Sequence, residues 1–138
     1  MSTEQNKSAA RRFIEEGFNH QNLAEIDRYS GPALVDHALP PGMPMNREGR
    51  KMFIQAFFAA FPDIHVHVDD LLAEGDRVVL RWSAHGTHKG ELMGIPATGK
   101  QVTMTGIAID RFENGQSVEH WEVIDQMGLM QQLGVIPG

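Results

Sequence analysis

The chain has 138 residues, one domain's worth on a prior of roughly 100–200 residues per domain, and its 41% apolar and 22% charged residues are those of a globular protein with a real core. Twelve Lys and Arg against eighteen Asp and Glu leave a net charge of −6, which gives no electrostatic footprint for nucleic acid. Cysteine is absent, which excludes disulfides, thiolate nucleophiles and Cys-type zinc sites, and no apolar run approaches the roughly 18 residues of a membrane span. The opening Ser2-Thr3-Glu4-Gln5-Asn6-Lys7 is polar and reads as no signal peptide. A single cytoplasmic domain over residues 1–138 is expected, with 1–7 as a flexible lead-in.

Ala10, Phe13, Ile14, Gly17 and Phe18 recur at helical spacing, and Gly17 with Asn19 supplies a stop. Asn22 can cap a short second helix through Leu23, Ile26 and Tyr29, which ends at Ser30-Gly31-Pro32. Residues 33–38 read as a short strand carrying Asp36 and His37, broken by Pro40-Pro41-Gly42-Met43-Pro44. Asn46 is the next cap. The helix over 47–61 is apolar almost all round from Met52 onward, so it is buried on several sides, and part of it can wall a cavity.

After Pro62 the period becomes two. Ile64, Val66 and Val68 alternate with His65, His67 and Asp69 on a half-buried strand. Further strands follow over 77–88, 101–112 and 116–124, separated by the turn Glu74-Gly75-Asp76, a long loop at 89–100 and the hairpin signal Asn114-Gly115. Asp125 can cap a last helix over 126–133, with Gly134 just past its end. Helices followed by hairpin-connected strands mean α+β: a cone-shaped curved antiparallel sheet packed on the N-terminal helices. Val79, Ile107, Trp121 and Val123 on the open sheet face suit a second subunit.

Carboxylates and imidazoles are what proton transfer inside an apolar cone requires. His120 and Glu122 share one face of the last strand, but periodicity leaves open whether that face is the inner one. Asp125 reads either as a helix cap or as a member of the site. His65, His67 and Asp69 have the spacing of a metal triad, yet they lie opposite a buried face, so no metal is assigned. His88 and His37 sit at expected rims of the cone, and His85 is near them. Met43, Met45, Met52, Met93 and Met104 suit either an irregular cavity or an ordinary core. No Gly-x-Ser-x-Gly elbow, phosphate loop or dinucleotide fingerprint occurs.

Several stretches resemble the SnoaL-like polyketide (ester) cyclase family. They are Phe61-Pro62-Asp63, Glu74-Gly75-Asp76-Arg77-Val78, Arg81-Trp82, Gly86-Thr87-His88-x-Gly90 and Gly94-Ile95-Pro96-Ala97-Thr98-Gly99-Lys100. The ending Val118-Glu119-His120-Trp121, Asp125, Gly128-Leu129 and Gln131-Gln132-Leu133-Gly134 resembles it too. The resemblance implies a nuclear-transport-factor-2-like cone, a cofactor-free site within it and a homodimer through the outer sheet face. It places Glu122 where the family carries its acid/base carboxylate, and so points Val118, His120, Glu122 and Ile124 inward. Where the family has a helper histidine, this chain has Ala108, so His120 or His37 would take that part. The implied activity is proton-transfer chemistry of the cyclase or isomerase type on a small apolar carbonyl or polyketide-like compound. The catalytic set is then Glu122, His120, His88, His37 and Asp125, with Asp36, Phe57, Trp82, Met104 and Ala108 as the expected ligand-binding residues. Two other readings are a non-catalytic binder of small hydrophobic molecules and an epoxide hydrolase, for which Asp110-Arg111 offers only opposite-facing neighbours.

Overall fold

The computed structural model describes residues 2–137, so Met1 of the expected lead-in and Gly138 lie outside the described residues. Ser2 opens helix α1 (Thr3–Arg12) with a capping box: its hydroxyl accepts the Gln5 amide, and the Gln5 side chain accepts the amide of Ser2. Residues 3–7 are therefore helical, not a flexible lead-in. The helix widens without a break into a π-helical stretch, Phe13–Asn19, which buries Phe13, Ile14 and Gly17 together. Asn19 ends it and bonds both the N–H and the C=O of Val66, closing part of the edge of the sheet.

Helix α2 (Ala24–Tyr29) runs directly into strand β1 (Ser30–Asp36). The strand starts three residues before the expected 33, and Pro32 is tolerated because β1 is an edge strand. Asn46 caps helix α3 (Arg47–Ala60) by accepting the Gly49 amide at 3.0 Å. Glycine is required at 49, since a Cβ there would stand 1.7 Å from the carbonyl oxygen of Pro44. That close approach seats the first turn of α3, and with it Arg50, against β1.

Strands β2 (His65–Glu74), β3 (Arg77–Thr87), β4 (Gln101–Glu113) and β5 (Gln116–Ile124) form an antiparallel meander, followed by helix α4 (Gln126–Leu133). The sheet order is β1-β5-β4-β3-β2. Asn114 and Gly115 both take positive φ in the β4–β5 turn, as their sequence signal predicts. Strand β1, however, runs parallel to β5, with Asp36 beside His120, so the sheet is mixed and not wholly antiparallel. A parallel partner needs a long crossover, and residues 37–115 supply it.

Two bulges bend the antiparallel part of the sheet around the helices, one between Val68 and Asp70 and one opposite Arg111 and Phe112. At the second, Arg111 faces Glu119 while Phe112 faces Ser117, leaving Val118 as the extra residue. The bulge therefore puts Ser117 on the inner side together with His120, and Val118, expected inward, is not on the cavity wall. The core lies between the concave face and the helices, around Ile26, Phe61, Val78, Met104 and Leu129. His65, His67 and His85 gather on the outer face with ring centroids 4.7–5.6 Å apart. Among the described residues no group of three or more His, Asp or Glu is arranged to hold a metal ion, and no helix is long and apolar enough to cross a membrane.

Candidate active site

The sheet and helices frame a cavity that opens to solvent at one mouth. Its apolar wall comes from Phe13, Ile14, Phe53, Ile54, Ile64 and Leu80. Strand alternation turns Val102, Met104, Ala108 and Asp110 of β4 to the concave side, and His120 and Glu122 of β5 lie beside Asp110 and Ala108. Asp36, Phe57, Trp82, Met104, Ala108, His120 and Glu122, all expected at the site, line this cavity.

The polar side of the cavity is one connected network. His120 stands between two carboxylates, with Nδ1 at 3.0 Å from Asp110 Oδ1 and Nε2 at 3.1 Å from Glu122 Oε1. Only an imidazolium can donate from both nitrogens at once. Trp82 donates its indole N–H to the other oxygen of Glu122, at 2.7 Å. Asp110 Oδ1 also accepts from Ser117 Oγ and from Arg50 at 3.3 Å. Arg50 in turn donates to Asp36 at 3.2 Å and to Ser30 Oγ at 2.8 Å, and it lies against the rings of Phe13 and Tyr29.

Burial by itself would raise the Asp110 carboxyl, but the charges of His120 and Arg50 and the hydrogen bonds from His120 and Ser117 outweigh it and hold it at about 2. Burial would likewise lower His120. The charge and hydrogen bond of Asp110, with help from Glu122, overcome that and push it up to about 10. Tyr29 stays a neutral phenol, held well above its ordinary value by burial first and then by the charge of Asp110. The site thus offers a carboxylate beside an imidazolium that keeps its charge at neutral pH, in an apolar enclosure. That is an arrangement for moving a proton to and from carbon.

The remaining expected residues lie elsewhere. The ring of His37 stacks on Trp121 at 5.3 Å and bonds Glu119 at 2.7 Å, and it is not on the cavity wall. β1 ends at Asp36, so the chain has left the concave face by His37. His88 is fully buried against Phe61, where its Nδ1 accepts the Thr98 amide at 3.2 Å and its backbone pins the neck of the 89–99 loop. Asp125 caps α4 by accepting the Gly128 amide at 2.9 Å. None of these three lines the cavity. His85 is on the outer face, and of the five methionines only Met104 lines the cavity; Met45, Met52 and Met93 are exposed.

Arg50, Ser30, Ser117 and Tyr29 are site members with no expected role from the sequence, and Asp110, weighed there only beside Arg111 for epoxide hydrolysis, is the hub of the network. Alternation along β4 carries the signal for Asp110, two residues beyond Ala108. Helical spacing carries it for Arg50, four residues before the buried Ile54. Arg111, the neighbour of Asp110, faces outward to Glu113 and Glu119.

Residues 8–133 match the SnoaL-like polyketide cyclase family. The chain belongs to that family. Its fold agrees closely with TsrD from Streptomyces laurentii (TM-score 0.90, 26% identity, 99% of each chain). It is equally close to AclR from Streptomyces galilaeus, a candidate hydroxylase (TM-score 0.89, 30% identity, 99% of this chain and 85% of that one). IdmH from Streptomyces antibioticus, a candidate polyketide cyclase, is 35% identical at a TM-score of 0.82 over 94% of this chain and 99% of its own. In sequence the chain is 29% identical over 77 residues, 56% of its length, to an aklanonic acid methyl ester cyclase from Streptomyces peucetius. It spans about half, 53%, of that cyclase's length. Family membership supports cofactor-free, cyclase-type chemistry.

Proposed function

We propose that the protein closes a ring in a small polyketide-like ester or ketone held in the cavity, with Glu122 as the base and acid. The observation that supports this is the carboxylate on the apolar wall, one oxygen fixed by Trp82 and the other by His120. Glu122 takes a proton from a carbon beside a carbonyl, and the resulting enolate attacks a second carbonyl of the same molecule. A carbon–carbon bond forms, and the alkoxide takes the proton back from Glu122. The imidazolium of His120 offsets the negative charge as it leaves the carboxylate, the part a helper histidine at position 108 would otherwise play.

The test is turnover of aklanonic acid methyl ester and related polyketide esters, chosen because of the relative's activity. Glu122→Gln is expected to lower kcat by roughly a hundredfold or more with the fold intact. Full activity in that variant rules out the assignment. Tight binding of these esters with no turnover in the unaltered protein favours the binding-protein reading instead.

We also propose a homodimer through the outer sheet face. Leu72, Val79, Ile109 and Trp121 form one cross-strand row there, with the exposed pair Ile107 and Val123 beside it, so an apolar stripe crosses the face. Sedimentation velocity is expected to show a dimer that Val123→Lys converts to monomer. A monomeric unaltered protein refutes it.

A further inference from the structure

Strand β4 carries a glycine, Gly106, in its interior, where the missing side chain weakens packing. The space a side chain would fill is taken. A Cβ on Gly106 would lie 2.5 Å from Cζ2 and 2.7 Å from Cε2 of Trp82, both atoms of a rigid ring. Trp82 is directly opposite Gly106 on β3, and Glu122 sits on β5 opposite Ala108, one inward row further on. Adjacent strands are about 4.8 Å apart, so Trp82 and Glu122 are separated by about 10 Å of sheet. The indole spans its share of that distance by lying flat across the bare backbone of β4. Its N–H then arrives 2.7 Å from Glu122 Oε2, while His120 holds Oε1 at 3.1 Å.

We propose that Gly106 and Trp82 are positioning residues for Glu122: the glycine opens the lane in which the indole lies, and the indole N–H fixes the carboxylate's rotation toward the cavity. Two donors on two oxygens define the plane of the group and leave one lone pair on each oxygen for a ligand. A reacting group held in one orientation gains over a free one because no search precedes the proton transfer. The proposal rests on the reading of Glu122 as the base. It explains why small residues, Gly106 and Ala108, occupy the row and the neighbouring row where large ones would pack the sheet better.

The test is a double-mutant cycle read on the Trp82 indole N–H by hydrogen exchange in the full-length, ¹⁵N-labelled chain. The chain has two tryptophans, so Trp121→Phe assigns the signal. Gly106→Ala and Glu122→Ala are each expected to speed exchange of that proton roughly tenfold or more, the size of a hydrogen bond to a charged group. In the double variant the effects should not multiply, because both act through the same bond, and coupling is reciprocal between its partners. Exchange in Gly106→Ala within twofold of the unaltered protein overturns the proposal, and so do effects that multiply.

Should Gly106→Ala fail to fold, Trp82→Phe keeps a ring over Gly106 and removes only the donor. The His120 Nε2–H resonance should then shift as Glu122 is released, and an unmoved resonance overturns the proposal. Neither readout needs turnover. Coupling with a fully active Glu122→Gln refutes the base and leaves the positioning, whereas multiplying effects with an inactive Glu122→Gln do the reverse.

Discussion

Arg50→Leu is expected to lower the free energy of unfolding by about 3–5 kcal/mol, the cost of breaking a buried ion pair from one side. The Arg50 side chain is only 4% exposed, and its partners Asp36 and Asp110 are 3% and 8% exposed. Removing the guanidinium takes one N–H from each carboxylate and one from Ser30, and leaves two buried acids without their shared cation. The leucine refills part of the volume against Phe13 and Tyr29, so the loss is dominated by charge and not by a cavity. Arg50→Lys should be intermediate. It keeps the charge, but a single ammonium cannot reach three acceptors in the directions a planar fork does. Urea unfolding followed by circular dichroism checks both, through the midpoint at unchanged slope. A loss below about 1 kcal/mol in Arg50→Leu would mean that the two carboxylates are hydrated in the folded protein, contrary to their burial.

Most of the frame that holds this network can be read from local pattern. Asn46 and Asp125 stand before apolar runs and cap their helices; Asn114-Gly115 makes its hairpin; alternation gives the faces of β3 and β4. What is hidden depends on partners distant in sequence. The parallel pairing of β1 with β5 joins residues 80 and more apart, and nothing near Ser30 announces it. The bulge at Val118 shifts which residues of β5 face inward, so a strict period of two misplaces Val118 and Ser117. His37 and His88 follow strands that end one residue before them, and where the chain turns next is decided by Glu119, Trp121 and Thr98. Arg50 was open to view at helical spacing from Ile54, yet a buried arginine is chemically sensible only once Asp36 and Asp110 are known to surround it. Resemblance to the family supplied the inner face of β5, which periodicity alone left undecided.

Asp110→Asn is expected to bring the titration of His120 down from about 10 to its ordinary 6.5 or below. With the carboxylate gone, burial and the nearby Arg50 both oppose the charged ring, and only Glu122 still favours it. In the unaltered protein His120 is raised on folding, so its contribution to stability is complete below about 6.5 and fades as pH climbs through about 10. Asp110 is lowered, so its contribution is complete above 3.8 and fades as pH falls through about 2. The pair therefore supports the fold most fully between these limits, at mildly acidic pH. At 1.36 kcal/mol per unit the alkaline loss has a ceiling near about 5 kcal/mol. Roughly 2–4 kcal/mol is expected, because a neutral imidazole still gives one N–H to a carboxylate. Asp110→Asn should flatten that alkaline decline. Imidazole resonances followed by NMR from pH 5 to 11 read the titration directly, and urea midpoints at pH 6 and 9.5 read the linkage. A His120 that titrates near 6.5 in the unaltered protein would refute the charged bridge. It would also free His120 to act as a base, whereas a ring charged throughout the neutral range leaves proton abstraction to Glu122.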